Sequence, residues 1–239
     1  MAKYAVVMPA ANEESTIEQS IKEIMAFKDW DLHLYIIIDR YSKDRTEEII
    51  RNLQNQYEKL HLVFYQDAKG VATCYLYGFQ VAIQEGADFI IEMDAGGSHN
   101  PKDIPRFIEK LSEGYECVWG SRYMKEGAVE NLPLYRRFIS RGGTILANVV
   151  LGTKLMDMTS GYEAFRSEVL QEMDLSKFLS RGHMYQTEMR FYCRNRKAVE
   201  LPIIYTGSTT VLKLKSVTDA LSILFQLKKH ESVVCSKSF

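Results

Sequence analysis

The stretch Phe89-Ile90-Ile91-Glu92-Met93-Asp94-Ala95-Gly96-Gly97-Ser98-His99-Asn100-Pro101 decides how this chain folds. Residues 89–91 are a short apolar run, and with helical patterns on both sides it reads as a buried strand. The chain leaves that strand through two acids and a glycine pair. It then reaches Pro101, a residue suited to the first turn of a helix. Upstream, residues 70–85 place Tyr75, Leu76, Phe79, Ala82 and Ile83 on one side of a helix. Downstream, Ile104, Phe107, Ile108 and Leu111 form the stripe of the next. The stretch is therefore a strand between two helices, with a polar exit at its carboxyl end.

Working outward, the same unit recurs. Residues 4–8, 34–38, 61–65 and 116–119 read as buried strands. Ser15 with Glu18, and Asp44 with Glu47, are capping-box pairs. Each precedes an apolar stripe: Ile17, Ile21, Ile24 and Met25, then Ile49, Ile50, Leu53 and Tyr57. Strands alternating with helices of about 10–15 residues predict right-handed crossover units and a largely parallel sheet. The second half is less regular, with helices expected over 133–151, 184–196 and 216–229 and a strand over 198–204. No repeat, low-complexity tract or Pro/Gly-rich linker interrupts it. The reading is one α/β domain over residues 1–215, followed by an amphipathic helix and tail over 216–239.

Composition narrows the function. The 239 residues are 46% hydrophobic and 26% charged, enough for a real core, and the formal net charge is -1. No basic field points to nucleic acid, so an anionic ligand would need a local cluster of cations. Cys74, Cys117, Cys193 and Cys235 form no CxxC pair and read as reduced thiols of a cytosolic protein. The N-terminus lacks the shape of a signal peptide, and no run of about 18 apolar residues is present to span a bilayer.

Sheets of this class bind ligands beyond the carboxyl ends of their strands. The segments there are polar and unusual. Pro9, Asn12 and Glu13 follow the first strand; Asn12 either starts a helix or contacts a ligand. Asp39 follows the second, with no capping duty evident, whereas Asp44 has one. Glu92 and Asp94, two apart in extended chain, share a face. Paired acids there suit a hard divalent cation bridging a diphosphate. His99 is either a further ligand or a turn residue.

In this order, Pro9-Ala10-Ala11-Asn12-Glu13, Asp39-Arg40-Tyr41-Ser42-Lys43-Asp44-Arg45-Thr46 and Asp94-Ala95-Gly96 resemble the P-x-x-N-E, D-D-x-S-x-D-x-T and D-x-D motifs of family 2 glycosyltransferases. Gly120-Ser121-Arg122-Tyr123, Leu134-Tyr135-Arg136-Arg137, Asp157-Met158-Thr159-Ser160-Gly161-Tyr162 and Gln186-Thr187-Glu188-Met189 narrow the likeness to the dolichyl and polyprenyl-phosphate mannosyltransferases. The resemblance runs from about residue 4 to about residue 205. It implies a GT-A fold, a Rossmann-like α/β/α sandwich around a mostly parallel, mixed sheet. It implies an inverting transfer of a hexose from GDP-mannose or a UDP-sugar to a polyprenyl phosphate, with Mg²⁺ or Mn²⁺. Pro9, Asn12, Glu13 and Asp39 would line the nucleotide pocket and Asp94 would hold the metal. Arg122, Arg136 and Ser140 would grip the acceptor phosphate, and Asp157 and Glu188 would lie near the reacting sugar. Arg137 and Arg141 stay open between phosphate contacts and a solvated helix face.

Three positions depart from that pattern. Gly96 replaces the second acid of D-x-D, Arg40 replaces an aspartate, and Ser208 falls where the family has an arginine. One reading of these departures is a weakened or altered metal site on Asp94, with Glu92 or His99 as helpers and Arg40, Lys213 or Lys215 as sources of positive charge. Two other readings remain: a transferase acting on a small soluble acceptor with Asp157 as general base, and a catalytically impaired nucleotide-sugar-binding protein. The last helix carries Val217, Leu221, Leu224 and Phe225 on one side and ends in Lys228 and Lys229. That side faces either a membrane interface or the domain's own core. The chain is thus expected to be cytoplasmic, with peripheral attachment to the cytoplasmic face of a membrane left open. Oligomeric state is left open too.

Overall fold

The computed structural model describes residues 1–68, 70–182, 184–207 and 214–234. Ser208, Lys213 and Cys235, and the side chains of Lys215, Val217 and Lys228, lie outside the described residues. The elements are β1 (Lys3–Ala10), α1 (Ile17–Met25), β2 (Asp31–Ile38), α2 (Thr46–Gln54), β3 (Leu60–Phe64), α3 (Val71–Gln84), β4 (Phe89–Glu92), α4 (Ile104–Ser112), β5 (Cys117–Ser121), β6 (Ala128–Glu130), α5 (Leu134–Leu151), β7 (Glu163–Arg166), α6 (Ser167–Gln171), α7 (Met184–Tyr192), β8 (Ala198–Pro202), β9 (Ile204–Thr206) and α8 (Leu214–Val234).

Seven strands form one sheet in the order β3-β2-β1-β4-β7-β5-β8. All pairings are parallel except those of β7, which runs antiparallel to β4 and β5. Alternate residues feed two cores, as the two-residue period of a strand requires. Val7, Tyr35 and Ile37 pack with α3 and the buried sides of α6, α7 and α8. Val6, Met8, Leu34 and Ile36 pack with α1, α2 and α4. This is the expected α/β/α sandwich. The strand order reverses between β1 and β4, so the loops after those two strands flank the switch point where such sheets bind ligands.

The structure corrects several local expectations. Helix α1 starts after Thr16 with no side-chain cap, so Ser15 and Glu18 form no capping box. Asp44 does cap, accepting from the Thr46 amide at 3.0 Å, but Glu47 turns away to Arg51. The strand expected over 198–204 breaks at Ile203; β8 stays in the main sheet and β9 pairs with β6. β7 was not expected, because Glu163-Ala164-Phe165-Arg166 shows neither alternation nor β-branched residues. In α8, Leu224, Leu227 and Val234 are buried in the first core, while Leu221 and Phe225 stay exposed. The last helix therefore packs on the domain, with its buried stripe rotated from the one expected.

Candidate active site

The rim above the switch point is built from the exits of β1, β2 and β4. The first two are stitched together by their own side chains. The Lys43 amide donates to Asn12 Oδ1 at 2.9 Å, the Glu13 amide to Thr46 Oγ1 at 2.8 Å and the Glu14 amide to Asp44 Oδ2 at 3.0 Å. Asn12 takes φ +58°, a left-handed conformation that asparagine tolerates better than most residues. It clamps two loops and does not start the helix. Asp39 also has a structural duty that the sequence did not suggest. Its carboxylate accepts from the Gly70 amide at 2.7 Å and the Tyr41 amide at 2.9 Å, which ties the end of β2 to the start of α3. Arg40 is exposed, with its guanidinium over the Tyr41 ring.

The two acids of the decisive stretch part company. Glu92 is fully buried, accepts from the Tyr185 hydroxyl, and burial together with Glu163 pushes its pKa well above the usual carboxylate range. Its oxygens accept from the Tyr185 hydroxyl and the Gln186 side-chain amide, which argues against a part for it in holding a metal beside Asp94. Asp94 lies past the strand end, partly exposed, with Oδ1 accepting from Tyr75 at 2.9 Å. His99 is buried, and its Nδ1 accepts from the Asp94 amide at 3.2 Å. That bond requires the neutral ring, and burial lowers the pKa to match. His99 thus shapes the loop and offers its Nδ1 lone pair to the backbone.

Gly96 faces Glu13. A Cβ built on Gly96 would stand 3.2 Å from both Glu13 carboxylate oxygens. Glu13 also accepts from Thr16 Oγ1 at 3.3 Å. Burial raises its pKa against the Thr16 bond, and the nearby charges of Asp94 and Asp44 raise it further. Asp94 and Glu13 thus leave two carboxylates close together, a donor set that suits a hard divalent cation. Among the described residues no cluster of three or more His, Cys, Asp or Glu stands ready to hold a metal. Any cation here would rely on a bound diphosphate for further oxygens.

Across the rim, β5 delivers Arg122. The guanidinium is buried and grips Asp157 through Nε at 2.7 Å and Nη2 at 2.8 Å. Nη2 also reaches Thr159 Oγ1 at 2.6 Å and Ser140 Oγ at 3.1 Å. Burial alone would raise the Asp157 pKa, but the Arg122 charge overrides it and holds the carboxyl at about 2. With its oxygens engaged and so weak a basicity, Asp157 is a poor general base. Arg136 lies one turn before Ser140 on α5, so the two share a face. Arg141 is exposed, with its guanidinium over the Tyr123 ring, and Arg137 is exposed. Glu188 accepts from the amides of Leu179 and Ser180 at 2.8 and 2.9 Å and from the Tyr192 hydroxyl at 3.0 Å. Its carboxylate is spent on holding the 179–180 turn, which argues against contact with the sugar.

The two halves meet through rings. His99 stacks on Tyr162 at 4.8 Å and meets Tyr205 edge-on at 5.6 Å; Arg122 lies over Tyr205 at 5.4 Å. Asp94 is therefore linked to Arg122 through His99 and Tyr205. By the spacing of the strands they follow, Asp39 just after β2 and Arg122 just after β5 stand about 19 Å apart along one rim. Tyr75, Thr159 and Tyr205 are contributors that the sequence reading missed. Thr159 lay inside a motif already singled out; Tyr75 and Tyr205 carry no local signal.

This chain belongs to glycosyl transferase family 2, whose model matches residues 5–174; it is a glycosyltransferase of GT-A fold. It is 29% identical to a polyprenol monophosphomannose synthase of Mycolicibacterium smegmatis over 84% of this chain and 76% of that one. It is 29% identical to an undecaprenyl-phosphate mannosyltransferase of Micrococcus luteus, over 85% and 83% of the two chains. A dolichol-phosphate mannosyltransferase of Pyrococcus furiosus is also 29% identical, over 97% of this chain and 65% of its own length. Among solved structures, glucosyl-3-phosphoglycerate synthase from Mycobacterium tuberculosis with UDP superposes at a TM-score of 0.68, with 17% identity over 98% of this chain and 80% of that one. Its complex with Mn²⁺, UDP and phosphoglyceric acid gives 0.70, with 16% identity over 96% and 78%. At that identity the likeness speaks for the fold.

Proposed function

We propose that this glycosyltransferase moves a hexose from a nucleotide sugar to a polyprenyl phosphate, with inversion at the anomeric carbon. One observation carries the choice of a lipid acceptor. Helix α5, which presents Arg136 and Ser140, also exposes Leu134, Tyr135, Phe138, Ile139, Ile145 and Val149; Phe138 is 72% and Val149 76% exposed. A soluble phosphate acceptor calls for no such surface, whereas a polyprenyl chain or the membrane around it does. The membrane-facing element in this reading is α5, with Leu221 and Phe225 of α8 as additions.

The residues suit a phosphate nucleophile. A phosphate monoester has a second pKa of about 6 and is largely ionised at neutral pH, so it needs positioning more than deprotonation. Arg122 and Arg136 would supply that, with Ser140 and Thr159 fixing the Arg122 fork. A phosphate oxygen bonds to the anomeric carbon as the bond from that carbon to the nucleoside diphosphate breaks, and the electron pair leaves with the diphosphate. Pro9, Asn12, Glu13 and Asp39 would border the nucleotide. A divalent cation held by Asp94 would stabilise the charge of the departing diphosphate. A hydroxyl acceptor would need a base, and Asp157 is poorly suited to that task.

The test is incubation with GDP-mannose, UDP-glucose or UDP-GlcNAc, an undecaprenyl or dolichyl phosphate, and Mn²⁺. A lipid-linked sugar is the expected product. Turnover only with a water-soluble phosphate would favour the soluble-acceptor reading, and donor binding without turnover the impaired one. Arg136→Ala should lower kcat/KM for the lipid by about 10²-fold while leaving nucleotide affinity in place. Equal loss of both would overturn the acceptor assignment.

A further inference from the structure

We propose that Glu13 supplies the second protein carboxylate of the cation site, taking from the entry to α1 the part that an acid at position 96 would play from the loop after β4. This rests on the reading that a nucleoside diphosphate and a divalent cation bind beside Asp94.

Position 96 is glycine, and the room its side chain would need is filled: a Cβ there would stand 3.2 Å from Oε1 and Oε2 of Glu13, tighter than ordinary contact. Glu13 can hold this pose because residue 96 has no side chain. The pose is anchored at both ends of the residue, the amide donating to Thr46 Oγ1 at 2.8 Å and Oε2 accepting from Thr16 Oγ1 at 3.3 Å. Asp94 is fixed from the other side, with Oδ1 on the Tyr75 hydroxyl. Each acid thus has one oxygen held by a hydroxyl donor, and Asp94 Oδ2 lies 3.7 Å from His99 Nδ1. His99 brings no proton to Asp94, because its Nδ1 accepts the Asp94 amide. Among the described residues neither carboxylate is paired with a lysine or arginine. The two carboxylates lie near enough to repel each other, and a hard divalent ion between them would relieve that repulsion. Glu13 keeps the residue of its own motif, and with glycine at 96 its carboxylate stands where the side chain of an acid at that position would begin.

The experiment measures coupling between Mn²⁺ and nucleotide, using the full chain without turnover. GDP and UDP affinities are measured by calorimetry in EDTA and in Mn²⁺, and bound Mn²⁺ is counted by electron paramagnetic resonance. In Glu13→Gln the affinity gain conferred by Mn²⁺ should fall about 10- to 100-fold. A residue that merely lines the nucleotide pocket would weaken both arms equally and leave the gain unchanged; that result overturns the proposal. The double variant Glu13→Ala with Gly96→Asp moves the acid back to the loop, and most of the gain should return. Failure to return, in a variant whose thermal melt matches Glu13→Ala, also overturns it. If the parent chain binds neither nucleotide with any dependence on Mn²⁺, the donor-site reading itself falls. That outcome is distinct from a parent chain with strong coupling that Glu13→Gln preserves.

Discussion

At neutral pH the Asp157 carboxylate is ionised, fully buried and bound on both oxygens by Arg122. Asp157 also takes the Thr159 amide at 3.0 Å, and its own amide donates to Glu200 at 3.0 Å. The pair thus fixes a loop as well as a guanidinium. Asp157→Asn leaves a buried cation without its anion and should cost about 3–5 kcal/mol of unfolding free energy, read by urea denaturation. The folded pKa lies below the ordinary value, so this stability is present above about pH 4 and lost as pH falls through about 2. The variant should lack that acid limb. Single residues also show where sequence reading stops. Arg122, Ser140 and Asp157 were legible from motifs, but their mutual engagement joins positions up to 35 residues apart. The motif around Glu13 was legible; that its carboxylate fills the space of a side chain absent at position 96 was not.

Among the elements, α5 breaks the usual rule that a surface helix hides its apolar stripe. Thr144, Ala147 and Leu151 are its buried residues, and larger apolar side chains point outward. Phe138→Asp should weaken binding to vesicles of anionic phospholipid in a flotation assay by about tenfold, while activity on a short, water-soluble polyprenyl phosphate persists. The sequence reading looked for this surface on α8, whose Leu224 and Leu227 instead face the core. Strands β2 and β3 carry a second testable feature. His33 Nδ1 and His61 Nε2 lie 3.1 Å apart with rings stacked at 5.4 Å. Burial lowers both pKa values; Lys3 presses further on His33, and each ring opposes charge on the other at His61. The unfolded chain therefore takes up protons first. Stability should be full above about pH 6.5 and fall as pH drops through the lowered values. Urea midpoints from pH 8 to pH 5 check this, and His61→Gln should flatten the slope.

At the scale of the whole molecule, the rim draws on residues from Pro9 to Tyr205, so ligand binding must stabilise the entire domain. Mn²⁺ with a nucleoside diphosphate at a hundred times its Kd should add about 2.7 kcal/mol and raise the melting temperature, and EDTA should reverse the metal-dependent part. No helix among the described residues is long and apolar enough to cross a membrane. Periodicity and the order of the motifs were enough to establish the alternating α/β plan, the parallel half of the sheet and the family. Each of those depends on neighbours in the chain, where spacing alone decides which side chains share a face. The antiparallel insertion of β7, the burial of Glu92, the outward apolar face of α5 and the meeting of Glu13 with Gly96 were settled only by packing. Each depends on which distant surfaces come together, and a buried acid or an exposed phenylalanine looks the same in sequence until its neighbours in space are known.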